Sequence, residues 1–291
     1  MKNIIATVIA ALMAGALAGY IAAPKSMEQA SQQTVAKESS FDRVMRTKTL
    51  RCGYVVYPPT VIKDDNSGAM SGIMHDIIES AAAKIDLKVE WAEELNWGNY
   101  MTALAYDHAD MICAAAWNNN AAEWREAEAI GPLFYSGIGV WVRRDDNRFA
   151  GNFAAINDPG VTISSIDGTI PGRIAAVDFP QAKLLSLPQA SDYTLNLLNV
   201  KDGKADVTFV ENYQGLSFLE SNPGSIKNIA AASPVRTFPN VFLVRKGETG
   251  LKDTFSSIIQ DMANNGEIEA IIRKYEKYPG AFYRIAKPYQ P

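Results

Sequence analysis

Short apolar runs alternate along the chain with segments whose apolar residues recur at helical spacing. Residues 50–56 (LRCGYVV) predict a buried strand, ended by Tyr57-Pro58-Pro59 because proline cannot donate to a ladder. Residues 64–68 (DDNSG) carry turn chemistry. Over 73–85, Ile73, Ile77, Ile78, Ala81, Ala82 and Ile85 fall on one helical stripe. A second strand is expected at 87–91, a helix at 100–106, and a third strand at 111–116. The unbroken apolar character of that third strand suits one covered on both faces.

The alternation starts again after Asp145. Residues 161–165 predict a strand that runs through Gly168-Thr169 into a helix; 192–201 is helical, and 207–210 is a short buried strand. Two long extended segments, 133–143 (LFYSGIGVWVR) and 240–246 (NVFLVRK), separate or follow these units. Helices at 251–263 and 267–275, broken at Gly266, close the chain. Strands alternating with helices imply mostly parallel sheets flanked by helices. A chain that leaves its first unit once and returns once predicts an α/β protein of two lobes joined by a two-strand hinge. The expected bounds are 41–143 plus 237–291 for lobe one and 144–236 for lobe two. In open α/β sheets, ligands sit beyond the carboxyl ends of the strands. Two such lobes therefore place those ends on either side of one cleft, which hinge motion closes.

The N-terminus changes where such a protein would work. Lys2 precedes an uncharged apolar run at 4–23, the order of a secretory signal. Ala16-Leu17-Ala18 offers small residues for cleavage; the competing reading is an uncleaved anchor, since about 20 apolar residues can span a bilayer. Residues 1–24 are read as signal peptide or anchor. Residues 25–40 are polar, rich in Gln and Ser, and read as a flexible tether. Composition then narrows the partners. The 291 residues carry 28 Lys+Arg against 32 Asp+Glu, a net charge of −4 without a basic patch, which argues against nucleic acid. With 2 His and 2 Cys, no metal site or cofactor is expected.

The order of several loose motifs resembles a known family, the bacterial extracellular solute-binding proteins of family 3. They are LRCGYVVYPP, KDDNSGAMSGIMHDIIE, LKVEWAEELNWGNYMTAL, HADMICAAA, GPLFYSGIGVWVR, VTISSIDGT, LNVKDGKADVTFVEN, NVFLVRKGE and NNGEIEAIIRKYEK. The resemblance runs from about residue 50 to 278. It implies a type II periplasmic-binding-protein-like fold and a monomer in the periplasm. It also implies a small polar ligand passed to an ABC-type membrane permease or, less often, a receptor role. With no paired carboxylates, no Ser/His or Cys/His arrangement and no phosphate loop, no enzymatic activity is expected.

Residue by residue, Tyr57 matches an aromatic that lies over the ligand, and Trp97 an aromatic opening the helix after strand two. Thr169 stands at a helix N-terminus, where free N–H groups attract a carboxylate. Glu211 ends a buried strand where the family usually has an aspartate pairing with an α-amino group. Arg125 is the arginine available as a two-pronged carboxylate clamp, although it stands later after strand three than the family places it. Ala114-Ala115-Ala116-Trp117 replaces the family's small hydroxyl and glycine residues, so Trp117 offers an apolar face that suits an aromatic, aliphatic or cationic ligand. Each of these residues also has a bland reading as a turn, cap, core or solvated side chain. Cys52 and Cys113 fall on strands the family sets side by side. Neighbouring parallel strands seldom give disulfide geometry, so two buried free thiols are expected. The rival readings are a dehydratase on prephenate-like substrates, with Glu211 as its acid, and a membrane-held sensing module.

Overall fold

Ser39 starts the folded body: its side chain accepts a hydrogen bond from the Asp42 amide at 3.0 Å and caps the first helix. The computed structural model describes residues 38–189 and 191–285. The expected export segment at 4–23 and most of the polar segment at 25–40 lie outside them. Among the described residues no helix is long and apolar enough to cross a membrane.

The order begins with α1 Ser40–Thr47, β1 Thr49–Tyr54, the antiparallel pair β2 Ile62–Lys63 and β3 Met70–Ser71, and α2 Ile73–Ala83. It continues with β4 Lys88–Glu94, α3 Tyr100–Ala105, β5 Met111–Ala116, α4 Ala121–Glu126 and β6 Ala127–Arg143. The second half holds β7 Thr162–Ile166, α5 Ile170–Asp178, β8 Lys183–Leu187, α6 Thr194–Lys201, β9 Val207–Glu211, α7 Asn212–Ser221 and β10 Ile226–Asn228. The chain then returns through β11 Arg236–Arg245 and closes with α8 Thr249–Asn264, α9 Glu267–Tyr275 and β12 Phe282–Tyr283.

The main path of the sheet is β4-β1-β5-β11-β6-β9-β7-β8, with β10 and β12 also paired to β6. On one side β4, β1 and β5 run parallel, and on the other β9, β7 and β8 do. The long strands β6 and β11 lie antiparallel to each other between these groups and pair into both. This is the two-lobed α/β arrangement expected from the alternating pattern, with β6 and β11 as its two-strand hinge.

β6 starts six residues earlier than the apolar run 133–143, because Gly131-Pro132 interrupts the pattern without ending the strand. Opposite Asn240 and Phe242 of β11 stand Phe134 and Ile130 of β6, so the glycine and proline sit in a bulge where no ladder donor is needed. α2 buries Ile73, Ile77, Ile78, Ala81 and Ala82, the predicted stripe, in the core of the first lobe. Asp76 on its other side accepts bonds from Lys274 Nζ at 2.7 Å and Tyr275 Oη at 2.8 Å, tying α9 to α2. A separate core around Phe149, Ile163, Phe179 and Phe209 fills the second lobe. Burying one such phenylalanine contributes roughly 1.5–3 kcal/mol.

The cysteines depart from expectation. Cys52 and Cys113 form a disulfide with Cα atoms 5.4 Å apart. The register pairs Cys52 with Met111, so Cys113 stands diagonally across on the neighbouring strand, and both residues point into the same core. Their Cα separation lies within the range a disulfide requires.

Candidate functional site

Every candidate except Arg125 follows a strand end closely. Tyr57 follows β1, Trp97 follows β4 and Trp117 follows β5 in the first lobe; Thr169 follows β7 and Glu211 ends β9 in the second. The carboxyl ends of the two parallel groups thus face each other.

Contact across the cleft is direct. The Tyr57 hydroxyl donates to Glu211 Oε1 at 3.0 Å, joining the lobes. Its ring meets Trp97 edge-on at 6.1 Å and Tyr193 of the second lobe at 6.0 Å. Trp97 in turn meets Tyr100 at 5.7 Å. Gln214 Nε2 donates to Pro58 O at 3.0 Å, and Arg173 Nη1 reaches Asn119 O at 2.8 Å and Oδ1 at 3.1 Å. These interlobe bonds define a closed arrangement.

Behind Glu211 lies a polar chain that the sequence reading passed over. Trp117 Nε1 donates to Asn240 Oδ1 at 3.0 Å, and Asn240 Nδ2 donates to Ser136 Oγ at 3.0 Å. Ser136 lies beside Glu211 and lowers the proton affinity of its carboxyl. Ser136 and Asn240 are each 1% exposed and sit on the hinge strands β6 and β11. A signal was present: each is a lone polar residue in an otherwise apolar run, and buried polar groups must find partners. Trp117 is also stacked on Phe238, with ring centroids 4.7 Å apart.

Burial raises the Glu211 carboxyl above its ordinary value of 4.5, against the lowering effect of Ser136 and of the bond from Tyr57. Burial, and then the Glu211 charge, pushes the Tyr57 hydroxyl well above its usual value, so it stays a neutral donor. Tyr193 is raised by the same two causes. Thr169 caps no helix with its side chain; its hydroxyl donates to Ile166 O at 2.6 Å.

Arg125 is not brought to this group. It is exposed on α4, in the last turn of a six-residue helix, and it makes no hydrogen bond or ion pair among the described residues. The buried residue of α4 is Glu123, whose carboxylate accepts from the Tyr100 hydroxyl and from the Asn119 and Asn120 amides. Asn120 caps α4 in return, completing a capping box. A cavity of about 620 Å³ between Gly131–Leu133, α8 and α9 contains none of the candidate residues.

Two lobes of mixed topology, joined by a pair of crossing strands and meeting at their strand ends, define a type II periplasmic binding fold. The family model of the bacterial extracellular solute-binding proteins, family 3, matches residues 50–278, and the chain belongs to that family. A "probable amino-acid ABC transporter-binding protein" of Haemophilus influenzae is 26% identical over 231 residues, 79% of this chain and 85% of the relative. An ancestral amino acid-binding protein, described as a precursor of cyclohexadienyl dehydratase, superposes with a TM-score of 0.69 at 22% identity, covering 82% of this chain and all of its own. So does a putative ABC-transporter binding component of Wolinella succinogenes complexed with lysine, with a TM-score of 0.69 at 17% identity, covering 80% and 97%. At these identities the two structures establish the fold.

Proposed function

We propose that this chain is an exported solute-binding protein that captures a small polar ligand, an amino acid or a related amine or carboxylate, between its lobes. It then delivers the ligand to an ABC-type importer. The lobes are 41–143 plus 237–291 and 144–236, residues 1–24 direct export, and the protein acts as a monomer in the periplasm. The observation that carries this reading is the convergence of strand-end residues from both lobes, with Tyr57 bonded to Glu211 across the cleft. Tyr57, Trp97, Trp117, Thr169 and Glu211 contact the ligand. Arg125 is assigned no contact, because its exposed side chain engages none of them.

One observation favours a second reading. A buried carboxyl with raised proton affinity is what a general acid requires, and the ancestral neighbour's description mentions a dehydratase. Glu211, however, is bonded to the neutral Tyr57 hydroxyl beside Ser136 and has no ion-pair partner among the described residues. Turnover of prephenate by the purified protein would decide for the enzyme.

The binding reading is tested by thermal unfolding against pools of amino acids, polyamines, organic acids and sugars. A ligand at about 100 times its dissociation constant adds about 2.7 kcal/mol, which is roughly 5–10 °C for a body of this size. Silence from every pool would remove the reading.

A further inference from the structure

Two carboxylates are buried in the cleft region without a counter-ion. Glu211, 8% exposed, receives the hydroxyl of Tyr57 and lies beside Ser136. Glu123, 3% exposed, receives the Tyr100 hydroxyl and two backbone amides. Among the described residues neither forms an ion pair. A buried charge held only by neutral donors retains most of its desolvation penalty until an opposite charge arrives.

The space between them is aromatic. Tyr57, Trp97 and Tyr100 form an unbroken edge-to-face chain from one carboxylate to the other, and Tyr193 closes on Tyr57 from the second lobe. Ring faces attract ammonium and guanidinium groups. Of the arginines that could hold an anion, Arg173 is engaged through a single nitrogen with the oxygens of Asn119, and Arg125 is exposed. Thr169 spends its hydroxyl on Ile166, and Pro171 removes an amide donor from the first turn of α5.

We infer that the cleft selects an organic ammonium or guanidinium cation that carries no carboxylate, with Glu211 as counter-charge, the rings as walls, and Glu123 repelling an acid at the far end. This inference rests on the binding function proposed above and narrows its ligand.

Matched pairs test it, each an amino acid and its decarboxylated counterpart: L-lysine with 1,5-diaminopentane, and L-arginine with agmatine. Titration calorimetry on the full chain should show at least one decarboxylated member binding at least tenfold tighter than its amino acid. Glu211→Gln should weaken that binding at least tenfold. Glu123→Gln should narrow the gap within the pair, and it keeps the test available if Glu211→Gln does not fold. Equal or tighter binding of both amino acids overturns the inference and leaves the solute-binding reading standing. If neither member of either pair binds, the inference also fails; the broader reading falls with it only if the wider pools are silent too.

Discussion

Reducing the Cys52–Cys113 bridge should destabilise the first lobe by an amount set by its loop. The bridged residues are 61 apart in sequence, and the chain-entropy relation gives about 4 kcal/mol at 25 °C for a loop of that length. Both cysteines are 0% exposed in the first-lobe core, so two small apolar thiols still fill the space after reduction. Packing therefore nearly cancels, and the difference reports the freedom gained by the unfolded chain. With a urea m-value of about 3 kcal/mol/M, the midpoint should fall by about 1.3 M. The assay is urea unfolding followed by tryptophan fluorescence, with and without reductant, alongside thiol titration in denaturant. No thiol should react before reduction, and both cysteines should react after it. The oxidised protein should also show the smaller m-value, because a cross-linked unfolded chain exposes less surface. Reactive thiols in the untreated protein, or a midpoint that moves by less than about 0.3 M, would refute the reasoning.

Three further outcomes follow from the packing and the charges. At Gly215 an added Cβ would lie 2.0 Å from Trp141 Cζ2, so Gly215→Ala should cost about 3 kcal/mol or more in thermal or urea unfolding; a loss below about 1 kcal/mol would show that α7 shifts freely on β6. Arg125→Ala should leave ligand affinity within about twofold by calorimetry, since the side chain touches nothing in the cleft; a tenfold loss would restore the clamp. Because the folded-state value of Glu211 is raised, that carboxyl contributes stability that is complete below 4.5 and lost as pH rises through its folded value. A cationic ligand needs the ionised form. Affinity should therefore fall on acidification, beginning above pH 4.5, and the dependence should vanish in Glu211→Gln; an unchanged profile in that variant would assign the titration to another group.

Most of the fold was legible because buried strands announce themselves: β5 is a short unbroken apolar run, β9 is short, β-branched and buried throughout, and α2 carries a clean helical stripe. β8 was missed because KLLSL is an edge strand whose mostly exposed, mixed side chains carry no burial pattern. α7 was missed because it starts directly at the end of β9 and places Gly215 where Trp141 needs room, a tertiary requirement that depresses helix propensity. The disulfide was misjudged because spacing does not reveal register, and register alone sets the distance between Cys52 and Cys113. At the cleft, Tyr57 and Glu211 stand at the strand ends where the family resemblance puts them, while the lone polar Ser136 and Asn240 gain their partners only when the hinge strands are laid beside each other.

Those two residues also set a timetable. Ser136 on β6, bonded to Asn240 on β11, lies beside Glu211, and residues near the axis of a hinge motion move least. On the proposed binding function, Glu211 holds its place while the lobes are apart, and Tyr57, which bonds it in the closed arrangement, arrives as they meet. On that reading, capture divides into an encounter with a fixed charge, whose rate depends on ionic strength, and a residence governed by the rings that shut behind the ligand. Tyr57→Phe should accordingly leave the association rate unchanged and shorten the lifetime of the complex. Stopped-flow traces with both rates altered equally would mean that the ligand enters a cleft already closed.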